Sequence, residues 1–223
     1  MLKIVSLDIV DLITFPSGIL FVIKETLRDD SVKVSFYSFD TATKSIATVT
    51  KNAYLFSKFG PAYAPIAQQL GDYVSCDTAK LWNGQTFIIY STGEMGLFDE
   101  NGALLRTGDL TYRDLPARDA AVDNNYIWSV VPAGNLIVRY SLLQDRVVMR
   151  IGGDADTSFS GPVAIEEYDG YLYVSCRDSR KIKRVNLKDR SVEEYKAFDE
   201  PVFKYLQVGD CEFAVLESGV YML

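Results

Sequence analysis

At 223 residues, 48% hydrophobic and 13% aromatic, the chain can bury a sizeable core, and its length suits one all-β domain as readily as two small ones. A net charge of −7 disfavours general affinity for nucleic-acid phosphates or anionic lipid surfaces and leaves basic partners or neutral ligands. The sequence contains no histidine, which excludes Ser-His-Asp and Cys-His catalysis and nearly all catalytic zinc sites.

In chain order, residues 2–7 read as an apolar strand that belongs to no neighbouring unit. Asp8 and Asp11 interrupt the apolar start, and neither a secretory apolar region nor a small-residue cleavage site is present, so the expected location is cytoplasmic. Nowhere does the chain approach the roughly 18 uninterrupted apolar residues of a membrane-spanning helix. A first unit of four strands follows at 13–15, 19–23, 33–39 and 45–50. An insertion at 51–70, rich in Phe, Tyr and Pro, then leads to a second unit. Two readings of it are open: a binding element, or an extension of the outer strand by residues 54–59 with the rest plugging a channel.

The second unit has strands at 86–90, 96–99 and 103–106. In the third, 120–122 turns at Asp123-Asn124-Asn125 into 126–129, then 135–140 and 146–151. The fourth is the clearest: Gly161-Pro162-Val163-Ala164-Ile165 runs to an Asp169-Gly170 turn, and Tyr171-Leu172-Tyr173-Val174-Ser175 completes a hairpin. Strands at 181–185 and 191–195 follow, the first alternating with period two. The fifth supplies only three strands, at 201–206, 212–216 and 219–223.

An aromatic residue recurs three positions after a turn residue: Phe21, Phe87, Trp128, Tyr173 and Phe213, at spacings of 66, 41, 45 and 40. Such a period is that of a propeller blade, and the incomplete fifth unit is completed by strand 2–7, which closes the ring and removes two open sheet edges. The expected fold is all-β, a five-bladed β-propeller in one domain, with blades at 9–59, 73–108, 117–152, 161–197 and 201–223 plus 1–8. A two-sheet sandwich or two small barrels are the rivals, and neither explains the split last unit. The fourth unit resembles the NHL and YVTN type of propeller repeat, with its Pro-containing inner strand, Gly turn, aromatic second strand and basic third strand. That resemblance implies a fold and no particular activity.

Cys76, Cys176 and Cys211 lack CxxC spacing and read as reduced thiols. With no cofactor motif in the chain, no cofactor and no metal are expected. Propeller ligands sit where the innermost strands begin, and seven residues before each turn lie Asp11, Asp77, Arg118, Val163 and Phe203, with Asp119 and Glu166 nearby. These form a candidate carboxylate-rich funnel. Its functional readings are a hard-cation site or a carboxylate pair for glycoside hydrolysis; its structural reading is carboxylates bonded to backbone amides or to Arg118.

Phe59 and Tyr63 of the insertion, with Arg177, Arg180, Lys181 and Lys183 of the fourth blade, are candidate partner contacts. Residues 177–190 carry seven basic side chains against two aspartates, a local +5 that leaves −12 for the remainder. The competing reading of this stretch is a solvated outer strand guarded by lysines. Trp82, beside the Asn83-Gly84 turn, is a candidate for stacking on a sugar ring. The favoured function is a non-enzymatic binding or scaffold module that engages a protein through the channel-mouth face, without nucleic acid or membrane insertion. The alternative is a small carbohydrate-binding or carboxylate-dependent glycoside-active propeller. A calcium- or magnesium-bound lactonase-like enzyme ranks last.

Overall fold

Alternating apolar residues and short polar turns make this chain fold as successive antiparallel hairpins. The computed structural model describes residues 1–5, 9–15, 18–64, 67, 76–80, 84–90 and 92–223; within these, the side chains of Asp11, Asp77 and Phe59 are outside the description, as is the whole of Trp82. Strand β1 (Leu2–Val5) comes first, and blade 1 follows as β2 (Ile9–Phe15), β3 (Gly18–Thr26), β4 (Val32–Asp40) and β5 (Ser45–Thr48). Helix α1 (Lys51–Phe59) and a short 3-10 turn (Gly60–Ala62) come next, so residues 54–59 form a helix and do not extend the outer strand. Blade 2 consists of β6 (Cys76–Lys80), β7 (Thr86–Tyr90), β8 (Glu94–Phe98) and β9 (Leu104–Asp109). A two-stranded ladder, β10 (Thr111–Tyr112) and β11 (Leu115–Pro116), links it to blade 3.

Blade 3 contains β12 (Arg118–Asp123), β13 (Tyr126–Val131), β14 (Leu136–Ser141) and β15 (Arg146–Gly152). In blade 4 the strands are β16 (Pro162–Tyr168), β17 (Tyr171–Cys176), β18 (Lys181–Asn186) and β19 (Val192–Ala197). Blade 5 has β20 (Val202–Val208), β21 (Cys211–Leu216) and β22 (Gly219–Met222), and β1 adds its fourth strand through Leu2 opposite Met222 and Val5 opposite Val220. The innermost strands meet in the cyclic order β2, β6, β12, β16, β20, and β20 returns to β2. The protein is therefore a five-bladed β-propeller closed by its N-terminal strand.

Apolar packing follows the same logic, with one buried cluster for each junction between blades. Phe87 with Ile127 and Val138 fills the junction of blades 2 and 3, and Trp128 with Leu172 and Val185 that of blades 3 and 4. Tyr173 with Tyr205 and Ala214 lies between blades 4 and 5, and Phe213 with Phe39 and Ile19 between blades 5 and 1. At blades 1 and 2 the filler is Leu20, Val22 and Ile88, capped by Leu55 of α1. Burying each such side chain contributes about 1.5–3 kcal/mol.

Phe21 departs from the aromatic column. It packs toward blade 5, whereas Phe87, Trp128, Tyr173 and Phe213 each pack toward the following blade. Gly18 is already paired with Phe15, so it is a strand residue and not part of the turn. Counting from it reverses the alternation, and Leu20 takes the place that Phe21 was expected to fill.

Candidate functional site at the channel mouth

Equivalent positions can be set by pairing instead of by counting from turns. Two residues beyond the packed residues Leu20, Phe87, Trp128, Tyr173 and Phe213 lie Val22, Ile89, Val130, Ser175 and Val215. Their partners on the innermost strands are Asp11, Asp77, Arg118, Ala164 and Lys204. Asp11 and Asp77 thus do share one level by backbone register, while Val163 and Phe203 drop out of it because each is the extra residue of a β-bulge. Phe203 is 40% exposed and Val163 half-buried at the rim.

Blade 3 has its bulge at the same height, where Asp119 and Ala120 fall between the paired residues Arg118 and Ala121. Asp119 adopts φ +50°, a left-handed conformation that aspartate tolerates better than most residues. This turns its carboxylate inward at 2% exposure, while Arg118 faces solvent. The Ala120 amide donates to Oδ1 at 2.8 Å and the Ile165 amide to Oδ2 at 2.9 Å. Lys204 Nζ donates to Oδ1 at 3.2 Å from a side chain only 17% exposed. One carboxylate therefore joins the innermost strands of blades 3, 4 and 5.

Glu166, half-buried on β16, sits opposite Tyr173 at a different level from Asp119. Asp119, Lys204 and Glu166 each engage further neighbours. Among the described residues, no group of three or more Cys, Asp or Glu is arranged to hold a metal ion. Chemically, the Asp119 carboxylate is an anion whose lone pairs are already taken by donors.

The basic stretch of blade 4 lies against acids that the 177–190 window leaves out. Lys181 Nζ reaches Glu194 at 2.7 Å, and Arg184 forms an ion pair with Glu193 at 2.5 Å while stacking over Tyr171 and Tyr195. Lys183 is opposite Glu194 in register. Arg177 pairs with its neighbour Asp178 at 2.9 Å, and Arg180 Nη1 donates to the Asp199 carbonyl at 3.0 Å. Strand β19 thus supplies carboxylates to two of the seven basic side chains, Lys181 and Arg184. In the insertion, Leu55 is fully buried, and Phe56, 55% exposed, meets Tyr63 edge to face at 5.5 Å.

Two acidic sites that the sequence reading did not single out lie away from the mouth. Asp123 binds Arg139 at 2.6 Å, and the Arg139 guanidinium lies 3.7 Å from the centre of the Tyr126 ring. Burial raises the pKa of nearby Glu167, and the charges of Asp123 and Asp169 raise it further against the lowering effect of the Gly170 amide. Between blades 4 and 5, Glu212 accepts from Lys196 at 2.6 Å and from the Tyr195 hydroxyl at 3.0 Å. Their signal in the sequence is faint, since a lone Asp or Glu near a turn looks like any solvated residue.

No protein-family model and no curated protein matches the chain. Solved structures do share its fold. The WD40 β-propeller domain of Doa1 matches at TM-score 0.54 and 10% identity over 95% of this chain and 61% of that one. The WD40 repeats of RRP9 match at 0.52 and 10% over 94% and 58%, and U3-55K at 0.54 and 10% over 98% and 61%. The chain thus spans about three-fifths of the length of these structures, and at such identity the likeness concerns the fold alone. Among the described residues, no helix is long and apolar enough to cross a membrane.

Proposed function

We propose that this propeller is a non-enzymatic binding or scaffold module whose channel-mouth face receives a protein partner. The observation that carries the reading is Asp119: the buried carboxylate at the mouth is committed to two amides and a lysine, so it braces the ring. Around it, the rim offers solvent-facing Arg118 and the protruding Phe203, groups suited to contact and not to acid–base chemistry. The WD40 fold of the structural neighbours is in keeping with a scaffold role. An NHL-like character, a cytoplasmic setting and the lack of a nucleic-acid partner belong to the same proposal.

The test is affinity capture with the purified chain against two rim variants, Arg118→Glu and Phe203→Asp. A partner retained by the wild type and lost by both variants, which melt like the wild type, supports the reading. The glycoside-active alternative rests on Asp11 and Asp77 sharing one level. Turnover of a glycoside that Asp11→Asn or Asp77→Asn abolishes would overturn the scaffold reading.

A further inference from the structure

Four of the five outermost strands, β5, β9, β15 and β19, directly follow their sheet neighbours along the chain and are tied to them by turns. Strand β1 is not. It lies at the outer edge of blade 5 beside β22, while the next element after it in the chain is β2 of blade 1. Three residue pairs seat it, Leu2 opposite Met222, Lys3 opposite Tyr221 and Val5 opposite Val220, with Ile4 left over as a bulge. Its burial is slight: Leu2 is 58% exposed, Lys3 also faces solvent, and only Val5 is buried.

The junction of blades 5 and 1 has a core of its own. Ile19, Ile23 and Phe39 of blade 1 meet Leu206, Phe213 and Val215 of blade 5, and the Phe39 and Phe213 rings stand edge to face at 5.4 Å. From β1, Val5 alone joins that core as a buried member. A segment with few buried contacts opens locally at a free energy below that of the whole fold. Release of β1 therefore leaves the junction packed and uncovers β22, whose Gly219-Val220-Tyr221-Met222 carries no charge to guard its edge. This edge is shaped for close approach of another strand, since a Cβ at Gly219 would run into the Val5 carbonyl oxygen. Seated on it, β1 shows what the edge accepts: an apolar residue at Val5, and a basic one at Lys3, whose ammonium lies 5.6 Å from the centre of the Tyr221 ring.

We propose that β1 is a releasable latch, and that the β22 edge it covers is a docking site for an extended segment of a partner protein that carries the β1 pattern, an apolar, a basic and two apolar residues in succession. Such a segment would add to blade 5 in place of β1, with main-chain hydrogen bonds along β22 setting its register. Docking is linked to release, so a change that weakens the hold of β1 strengthens the docking. The site is at the outer edge of blade 5, separate from the channel mouth, and its failure leaves the mouth reading untouched.

Hydrogen exchange on the wild-type chain tests the latch: residues 2–5 should be roughly a hundredfold less protected than β21, while β3 and β21 keep the protection of the closed ring. The docking probe is a fluorescent Met-Leu-Lys-Ile-Val peptide, with Met-Leu-Glu-Ile-Glu as control, followed by anisotropy. It is titrated against the wild type, Val5→Ser, and a Leu2→Cys, Met222→Cys variant oxidised to hold β1 in place. The expected result is saturable binding to Val5→Ser, roughly tenfold or more tighter than to the wild type and than that of the control peptide, and loss of binding in the oxidised variant that reduction reverses. Protection of β1 equal to that of β21, absence of binding to Val5→Ser, affinity that ignores Val5→Ser or the lock, or exchange of β1 between two copies of the chain that leaves no place for the peptide would each overturn the proposal.

Discussion

Replacing Asp119 with alanine removes the acceptor shared by three blades. It leaves the Lys204 ammonium, 17% exposed, without this carboxylate and withdraws the acceptor of the Ile165 amide. Removing one partner of a buried ion pair costs about 3–5 kcal/mol because the remaining charge stays desolvated. For a chain of this size each kcal/mol lowers Tm by about 2–4 °C, so Asp119→Ala should melt about 6–20 °C below the wild type. Lys204→Met is the milder change, since the carboxylate keeps the Ala120 and Ile165 amides, and should cost about 1–3 kcal/mol. The double variant should be less destabilised than the sum of the two, because the second change removes a group that has already lost this contact. Circular dichroism melts of the four proteins complete the cycle. Asp119→Ala within about 1 kcal/mol of the wild type, or strict additivity, would refute the bracing role.

Glu167→Gln should stabilise the fold at neutral pH. Burial, then Asp123 and Asp169, raise this carboxyl's folded pKa, so its ionisation destabilises the fold as pH rises through the window between the unfolded and folded values. The Tm gain should appear above that window and vanish below it, and a gain equal at all pH values would contradict the assignment. At Glu212, burial alone would raise the pKa, but the bonds from Lys196 and Tyr195 outweigh it and leave the carboxyl lowered. Its stabilisation is present above the unfolded pKa and lost as pH falls through the folded one, so Lys196→Met should flatten the acid limb of a Tm–pH profile. In the insertion, Leu55→Ala should cost about 2–5 kcal/mol while Phe56→Ala, at 55% exposure, stays near the wild type in a urea titration. Equal effects would mean that α1 does not pack as described.

The blades were legible because their turns are chemically explicit. Asn124-Asn125, Asp169-Gly170 and Gly209-Asp210 are two-residue connections in which a residue with positive φ is required, and the sequence supplies Asn, Asp or Gly there. Blade 1 misled the count because Gly18 looks like a turn residue yet lies in the ladder opposite Phe15. A glycine marks freedom of the backbone, not the turn itself, and one misplaced residue sends every following side chain to the other face. Helix α1 was hidden for a different reason. Its Leu and Lys residues favour a helix while its Tyr and Phe residues favour a strand, so propensity leaves the segment open, and what favours the helix is Leu55 fitting the gap between Leu20, Val22 and Ile88, a gap made by distant parts of the chain.

The mouth shows most sharply where counting residues fails and pairing succeeds. A tally from the turns gave Arg118 as the basic member beside Asp11 and Asp77, and the rim includes it, but the buried cation is Lys204 and the buried anion Asp119. The bulges cause the exchange: an extra residue in β12 carries Asp119 inward, and one in β20 pushes Phe203 outward and leaves Lys204 in the paired position. No composition signal announces a bulge, although an aspartate able to hold a positive φ is one residue that permits it. The basic stretch at 177–190 illustrates the complementary error, because a window along the chain sees like charges together while Glu193 and Glu194 oppose them across the ladder. Charge in a sheet is balanced between strands, so its reach into solvent follows from register, and the free basic surface of blade 4 is smaller than +5 suggests.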